Sequence, residues 1–565
     1  MKRTMILPLL IVAVIAGFSS CSSKLNPLPA DYVKVTPQPL EVVAEKIPVT
    51  IDATFPEKWF PKNATVDITP KLKYEGGEAW GTTYNYQGEK VAGNAQVIPQ
   101  KTGANVTLRS TFDYKPEMQN KPELYLSFNA KLGKKTIQLP DLKIGEGLIA
   151  SAALADARTA TTAIAPDVFQ KVIKEAYNAN ILFLIQKAEL RSSELKKSEL
   201  SDWQSLVKNS SEAPNKKVNV EISAYASPDG GVALNDKLAA SREKNTNEYL
   251  SKEWKKAKLS VPLTANYTAQ DWDGFKELVE KSNIQDKNLI LRVLSTYTDP
   301  EERETQIKNI SSVYSVLADE ILPQLRRSRL TANVEIVGKS DADISQLASS
   351  DPKSLSVDEL LYAATLTQDL AKKAEIYRNV TQLYPKDYRG FNNLGAVTYK
   401  QGNIPQAENL FKKAAELSGK TPETSLNLGL VALTKNDIAG AEQNFGKAGN
   451  VPELTEALGI LALKKGDYSK AITSFGNTAS NNAALAQLLN KDYNKAQSTL
   501  NNVKDADATT AYLKAIVAAR TNNLDGVVSN LGTAIKKDKN LAKKALNDTE
   551  FVKYITNAQF LNVVK

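Results

Sequence analysis

Apolar and polar residues alternate along the first quarter of the chain, from residue 41 to residue 148. The runs TVDITPKLKYEGG, NVTLRSTFDYK and ELYLSFNAKLG have period two and are separated by Gly, Pro and Asn. This pattern is typical of half-buried strands, and no helical period interrupts it. We therefore expect an antiparallel β-sandwich over residues 41–148. For its aromatics Trp59, Phe60, Tyr74 and Trp80, we favour core positions over a ligand platform.

A different pattern follows an Ala- and Thr-rich stretch, residues 149–175, that we interpret as a linker. A short apolar strand, NILFLI, leads into an amphipathic helix. The strand VNVEISAYAS and the long helix ALNDKLAASREKNTNEYLSKEWKKA come next. This order predicts an α+β domain over residues 176–345, with a helical insertion at about 270–320.

From residue 350 to residue 565 the pattern is helical and repeats itself. Gly395 recurs 34 residues later as Gly429, and Gly459 begins a third copy. Within each copy an Ala follows the Gly by 12 residues and a Phe follows the Ala by 4. These spacings resemble the tetratricopeptide repeat, which implies an all-α solenoid of helical hairpins with a concave binding face.

Polar side chains on the first helix of each repeat are the candidates for that concave face. They are Asn392, Asn393, Lys400, Asn427 and Lys435. Asn393 and Asn427 are 34 residues apart, so they occupy equivalent positions. We expect them either to form a ladder that holds a peptide backbone or to be solvated surface positions.

The amino-acid composition excludes several classes of catalytic and metal site. The chain has no histidine and one cysteine, so Ser-His-Asp and Cys-His catalytic arrangements, intrachain disulfides and thiolate zinc sites are excluded. Catalysis by carboxylates alone remains open, but no convincing carboxylate pair is present, and we expect neither enzyme activity nor a cofactor or metal. The net charge is +9, yet 63 acidic residues interleave with 72 basic ones, which disfavours nucleic-acid binding.

The single cysteine, Cys21, follows an N-terminal segment that is typical of exported proteins. Lys2 and Arg3 precede an apolar run over residues 5–18 and then SSC. The segment resembles a bacterial lipoprotein signal, although Phe18 replaces the usual Leu. The resemblance implies a signal peptide over residues 1–20 and acyl chains, palmitate among them, on Cys21. An ordinary cleaved signal with a chance cysteine is the alternative. Four prolines in residues 21–40 favour a stiff extended tether.

The α+β segment resembles the OmpA-like domain, a peptidoglycan-associating module. VNVEISAYAS, then Asn235, Leu238 and Arg242, and the later RRSRLTANVEI carry the resemblance. It implies a pocket in which an aspartate binds the ammonium of diaminopimelate and Arg242 binds its carboxylate. The position of that aspartate is Ser227 here, with Asp229 two residues on. The candidate pocket residues are Ser227, Asp229, Asn235, Arg242, Arg326 and Arg327.

Together these features resemble accessory lipoproteins of outer-membrane assembly and secretion machines in Bacteroidota. The resemblance implies a non-enzymatic scaffold for an envelope protein complex, bound to protein partners through the repeats and the OmpA-like domain. The sequence SSKLNP after Cys21 lacks an acidic cluster, which favours the periplasmic side of the outer membrane. A peptidoglycan tether is the alternative, and an envelope enzyme is a remote one.

We predict that Cys21→Ser releases the protein from membranes, because the acylated side chain is lost while the rest of the signal stays intact. Membrane fractionation checks this prediction, with Ser22→Ala as the matched control. Equal membrane fractions of Cys21→Ser and wild type would show that no lipid is attached there.

Overall fold

The computed structural model describes residues 25–565, apart from the side chains of residues 311–313. The chain forms two compact units. The first contains the chain up to Pro166 together with Asp369–Lys565, and the second is Asp167–Gln368. Lys2, Arg3 and Cys21 lie outside the described residues. No helix within the described part of the chain is long and apolar enough to cross a membrane.

The first unit begins with a strand-rich region. Its strands are β1 (Val33–Thr36), β2 (Leu40–Glu41), β3 (Lys46–Phe55), β4 (Ala64–Tyr74), β5 (Gly77–Trp80), β6 (Tyr84–Gly88), β7 (Gln96–Ile98), β8 (Ala104–Asp113), β9 (Glu123–Leu132), β10 (Lys135–Gln138), β11 (Leu142–Glu146) and β12 (Leu148–Ile149). One sheet has the order β1-β3-β8. The other has the order β10-β9-β4-β6-β7, with β11 also on β9 and β5 on β4, while β12 pairs with β2.

The two larger sheets share one apolar core. Ile47 and Ile51 of β3 and Val66 and Leu126 of the other sheet are fully buried in a single cluster. Their alternation with exposed residues is the period-two pattern of the sequence. Removing these side chains from water supplies the main stabilisation of the region.

The aromatic residues divide between core and surface. Trp59 and Phe60 are buried, as expected. Trp80 is not in the core: it is 54% exposed on β5, and the Lys71 ammonium lies 4.7 Å from its ring centre. Among the described strands, β5 pairs with β4 alone, so it lies at an edge of the sheet.

The expectation of an extended tether up to residue 40 is wrong for the described part of that segment. Leu25 and Leu28 are buried in the core of the strand-rich region. The strand β1 pairs with β3 from Val33 to Thr36. Burial of these apolar side chains outweighs the preference of the neighbouring prolines for a free extended chain.

The second unit is built on a four-stranded sheet. Its strands are β13 (Val172–Leu182), β14 (Lys216–Tyr225), β15 (Leu263–Thr268) and β16 (Arg327–Val337), in the order β13-β16-β14-β15. The strand β16 is antiparallel to both of its neighbours, whereas β14 and β15 are parallel.

Ten α-helices accompany this sheet within the described residues. They are α1 (Ser192–Leu195), α2 (Ser198–Glu212), α3 (Val232–Ala257), α4 (Trp272–Lys281), α5 (Lys287–Thr296), α6 (Pro300–Asn309), α7 (Ser311–Val316), α8 (Leu322–Leu325), α9 (Asp341–Ser350) and α10 (Val357–Ala363). Trp203 of α2 and Leu250 of α3 pack on Ile222 of the sheet. The helices α4–α8 are the insertion and have an apolar cluster of their own around Phe275 and Leu325.

The remaining helices form the array of the first unit. They are α11 (Leu370–Leu383), α12 (Tyr388–Lys400), α13 (Ile404–Ser418), α14 (Pro422–Thr434), α15 (Ile438–Phe445), α16 (Leu454–Lys464), α17 (Tyr468–Phe475), α18 (Asn481–Leu489), α19 (Tyr493–Asn501), α20 (Ala508–Arg520), α21 (Leu524–Lys537), α22 (Asn540–Asn547) and α23 (Ala558–Val564). The predicted all-helical C-terminal region is therefore confirmed. The array begins at Leu370, however, because α9 and α10 belong to the second unit.

The repeated glycines set the distance between the helices of a hairpin. A Cβ atom on Gly395 or Gly429 would collide with the ring of Phe411 or Phe445 on the second helix. Both rings are almost fully buried. The hairpins therefore close tightly only because these positions lack a side chain, as the repeat pattern predicts.

Candidate functional sites in the helical array and in the second unit

Residues 150–166, here called the strap, connect the strand-rich region to the second unit and lie against the array. The strap includes two 3₁₀ turns, Ser151–Leu154 and Ala157–Thr159. Ala157, Ala160 and Ala163 belong to the same buried cluster as the array helices. This stretch, expected as a linker, is thus part of the core of the first unit.

Asparagine side chains hold the backbone of the strap. Asn393 on α12 accepts the N–H of Ala165 at 2.8 Å and donates to the C=O of Ala165 at 2.9 Å. Asn427 on α14 makes the same pair of bonds with Ala163, both at 2.8 Å. Each carboxamide therefore bonds one residue's backbone as a neighbouring β-strand would. The peptide in this ladder is the chain's own strap.

Asn392 completes the network. Its Nδ2 donates to the C=O of Ala163 at 3.1 Å, and its Oδ1 accepts from Asn427 at 3.1 Å. Asn392, Asn393 and Asn427 are at most 1% exposed. Every polar group in the network thus has a partner, which a buried amide requires.

Sequence reasoning missed Asn482 on α18. It accepts the N–H of Asp156 at 3.0 Å and donates to its C=O at 2.9 Å, the same two-point contact. Asn482 precedes Ala484 by two residues, as Asn393 precedes Gly395. The same offset in a weak fourth copy of the repeat was the signal that could have found it.

Tyr399 fixes the strap at a further point, since its hydroxyl donates to the C=O of Ala157 at 2.8 Å. Burial raises the pKa of Tyr399 well above its ordinary value. The hydroxyl therefore keeps its proton, and this hydrogen bond persists throughout the neutral range and above it.

Lys400 and Lys435, also expected on the concave face, make no contact with the strap ladder. Lys435 pairs with Glu408 of the second helix α13 at 2.5 Å. Lys400 is exposed at the C-terminal end of α12. The structure therefore brings the three asparagines to the strap, and neither lysine forms part of that ladder.

A second candidate site lies in the second unit. Ser227, Asp229, Asn235, Arg242 and Arg326 line one cavity of about 40 Å³. Arg327 does not line it: its guanidinium donates to Asp271 at 2.9 Å, whereas Arg326, which precedes the first residue of β16, lines the cavity.

The cavity is held in shape by Asn235, near the start of α3. Its Nδ2 donates to the carbonyls of Ser227 at 3.0 Å and Gly230 at 2.8 Å, which fixes the turn between β14 and α3. Arg326 donates to Ser227 Oγ at 3.2 Å and to the Asp229 carboxylate at 3.0 Å. The cavity therefore contains a carboxylate whose charge Arg326 already balances.

Arg242 has a bracing role that the sequence did not indicate. It is 1% exposed and donates to the carbonyls of Leu184 at 3.3 Å, Lys187 at 3.0 Å and Tyr225 at 2.8 Å. Burial, together with the nearby Arg326, lowers the pKa of Arg242 to about 10. Its hydrogen bonds thus connect the segment after β13 to the end of β14.

No protein-family model and no curated protein matches this chain. Solved structures similar to it include a tetratricopeptide repeat protein from Parabacteroides merdae, 14% identical over 52% of this chain and 99% of that one, with a TM-score of 0.26. pilF of Pseudomonas aeruginosa is 16% identical over 37% of this chain and 96% of its own, with a TM-score of 0.26. YrrB, a tetratricopeptide repeat protein with an unusual peptide-binding site, is 16% identical over 36% of this chain and 100% of its own, with a TM-score of 0.19.

Sequence identities and TM-scores this low support no conclusion about function. The assignment of the array as tetratricopeptide-type rests on the 34-residue period and on the glycine–phenylalanine contacts inside the hairpins.

We predict that Asn427→Ala loosens the strap, because the N–H of Ala163 and the Oδ1 of Asn392 both lose a partner in a buried place. Leaving buried polar groups unpaired costs about 1–3 kcal/mol, so hydrogen exchange at the amide of Ala163 should accelerate roughly tenfold or more. Hydrogen exchange of residues 157–166 by mass spectrometry measures this. Lys435→Ala, with its exposed ion pair, is the control and should change nothing there. Equal protection in Asn427→Ala and wild type would contradict the ladder.

Proposed function

We propose that this protein is a non-enzymatic lipoprotein of the outer membrane that faces the periplasm and scaffolds an envelope protein complex of the assembly or secretion type. The signal-like start with Cys21, the helical repeats and the OmpA-like motif in the second unit support this proposal. Each of these features is suited to holding proteins in place.

The observation that carries the proposal is the apolar rim of the cavity in the second unit. Ile185 is 58% exposed and Leu234 is 48% exposed, and both line the cavity. Leu184, next to Ile185, is 52% exposed. Large apolar side chains grouped at the surface around a few polar groups are typical of a protein-binding site.

The role of the array changes accordingly. The repeat pattern predicts partners on the concave face of the array, but the strap occupies the ladder from Asn393 to Asn482. In the proposed scaffold the array serves first as a rigid body. Protein partners then bind the apolar rim and the exposed surfaces of the array outside the strap.

Site-specific photo-crosslinking in native outer membranes tests the scaffold. A crosslinker placed at Ile185 or Leu234 should capture one defined set of outer-membrane proteins, and Leu234→Glu should prevent capture from position 185. Position 555 is the control, since Ile555 is also exposed but belongs to the first unit. The same captured proteins at all three positions, or none at the rim, would contradict the proposal.

The second candidate function is a peptidoglycan tether, and one observation favours it. Asp229 lies in the cavity beside Ser227, where it supplies a carboxylate although the family's aspartate is missing. Because Arg326 already neutralises Asp229, a ligand ammonium gains less from it than from an unpaired carboxylate.

We predict weak binding of wild type to purified sacculi, and tighter binding of Ser227→Asp, which restores a carboxylate at the family position. A pull-down at moderate salt measures it, because a chain of charge +9 binds anionic polymers nonspecifically at low salt. The exposed Asp236→Asn is the control for charge. Tight wild-type binding that Asp229→Asn abolishes and Asp236→Asn leaves intact would establish the tether instead.

A further inference from the structure

The asparagines of the array hold the strap mainly through its backbone. Asn393, Asn427 and Asn482 each bond both the N–H and the C=O of one strap residue. Backbone groups are common to all sequences, so this ladder alone accepts any extended segment.

Selectivity comes from the space beneath the strap. Ala163 is 0% exposed and Ala165 is 1% exposed, whereas Ile164 between them is 44% exposed. The segment thus alternates inward and outward as an extended chain does. Inward positions have room for a methyl group, and a longer side chain there would displace packed neighbours.

These two properties describe a peptide site that is already occupied. The strap is covalently joined to the array through the rest of the chain, so its effective concentration at the groove is of the order of millimolar or higher. A free peptide of the same affinity therefore competes poorly, because only the small fraction of molecules with an unseated strap can bind it.

We propose that the groove of the array is a binding site for an extended protein segment with alanine-sized side chains at alternate inward positions. Its resident ligand is the chain's own strap, and a strap-like segment of a second polypeptide binds when the resident strap leaves. The proposal uses contacts of the first unit alone, so it holds whether or not the membrane scaffold and the rim surface are correct.

The experiment uses the full chain and a labelled peptide of residues 155–168, ADARTATTAIAPDV. In the variant Ala163→Arg/Ala165→Arg, long side chains at the inward positions prevent the strap from binding in the groove. The groove is then available to the peptide. Fluorescence anisotropy should show peptide binding at least tenfold tighter than in wild type. Ile164→Arg adds the same side chain at the outward position, and it should behave as wild type.

Two further measurements assign the binding to the groove. Adding Asn393→Ala/Asn427→Ala to the strap variant should abolish peptide binding, because the backbone ladder is gone. A peptide that carries the Ala163→Arg change should fail to bind the strap variant, because its inward side chain does not fit.

Equal peptide binding by wild type and strap variant would overturn the proposal, as would absence of binding by a strap variant with wild-type helical content. Circular dichroism reports that content. If the double variant loses it, Ala163→Leu, a smaller disturbance at the same inward position, is measured in its place with the same two outcomes deciding.

Discussion

The pairing of asparagine carboxamides with the strap backbone is the interaction on which the first unit depends. A strap buried among alanines and helix side chains cannot bond water, so its N–H and C=O groups need protein partners. Asn393 and Asn427 supply them, since no strand of the described residues pairs with the strap. Without these bonds, burying the alanines would cost more in unpaired backbone than it returns.

The same pairing explains why sequence-distant parts form one compact unit. Ala165 bonds Asn393, which lies 228 residues further along the chain. Near the other end of the strap, the hydroxyl of Thr549 accepts the N–H of Leu148 at 3.0 Å. The chain that leads from the strand-rich region is therefore bonded to the array near both ends of the strap.

The helical period of apolar residues and their alternation with polar ones predicted the type of each element well, because both patterns depend on which side of the element is buried. They did not predict partners. The sequence predicts a proline-rich tether around Leu25 and Leu28, because two isolated leucines have no period. It predicts a linker in place of the strap for a related reason: alanine and threonine give little signal until a groove is there to bury them. Asn482 was predictable, because its offset from Ala484 repeats that of Asn393 from Gly395.

In the second unit, five of the six residues predicted from the OmpA-like motif line one cavity. The motif did not predict what each of these residues does there. Arg242 turns to the carbonyls of Leu184, Lys187 and Tyr225, and the cavity's carboxylate is bonded by Arg326 instead. An arginine turns away from the cavity when irregular segments place backbone carbonyls near it. The spacing of residues in the sequence does not show where those carbonyls lie.

The order of the units along the chain has a consequence for synthesis. The first unit is discontinuous, because the whole of the second unit, Asp167–Gln368, is inserted between its two parts. During translation the strands and the strap emerge first, and the second unit can fold before any array helix exists. Asn393 and Asn427 appear later, and Asn482 last. Until then the small apolar residues of the strap have no groove, so the first part of the protein to be made is the last to acquire its full set of contacts.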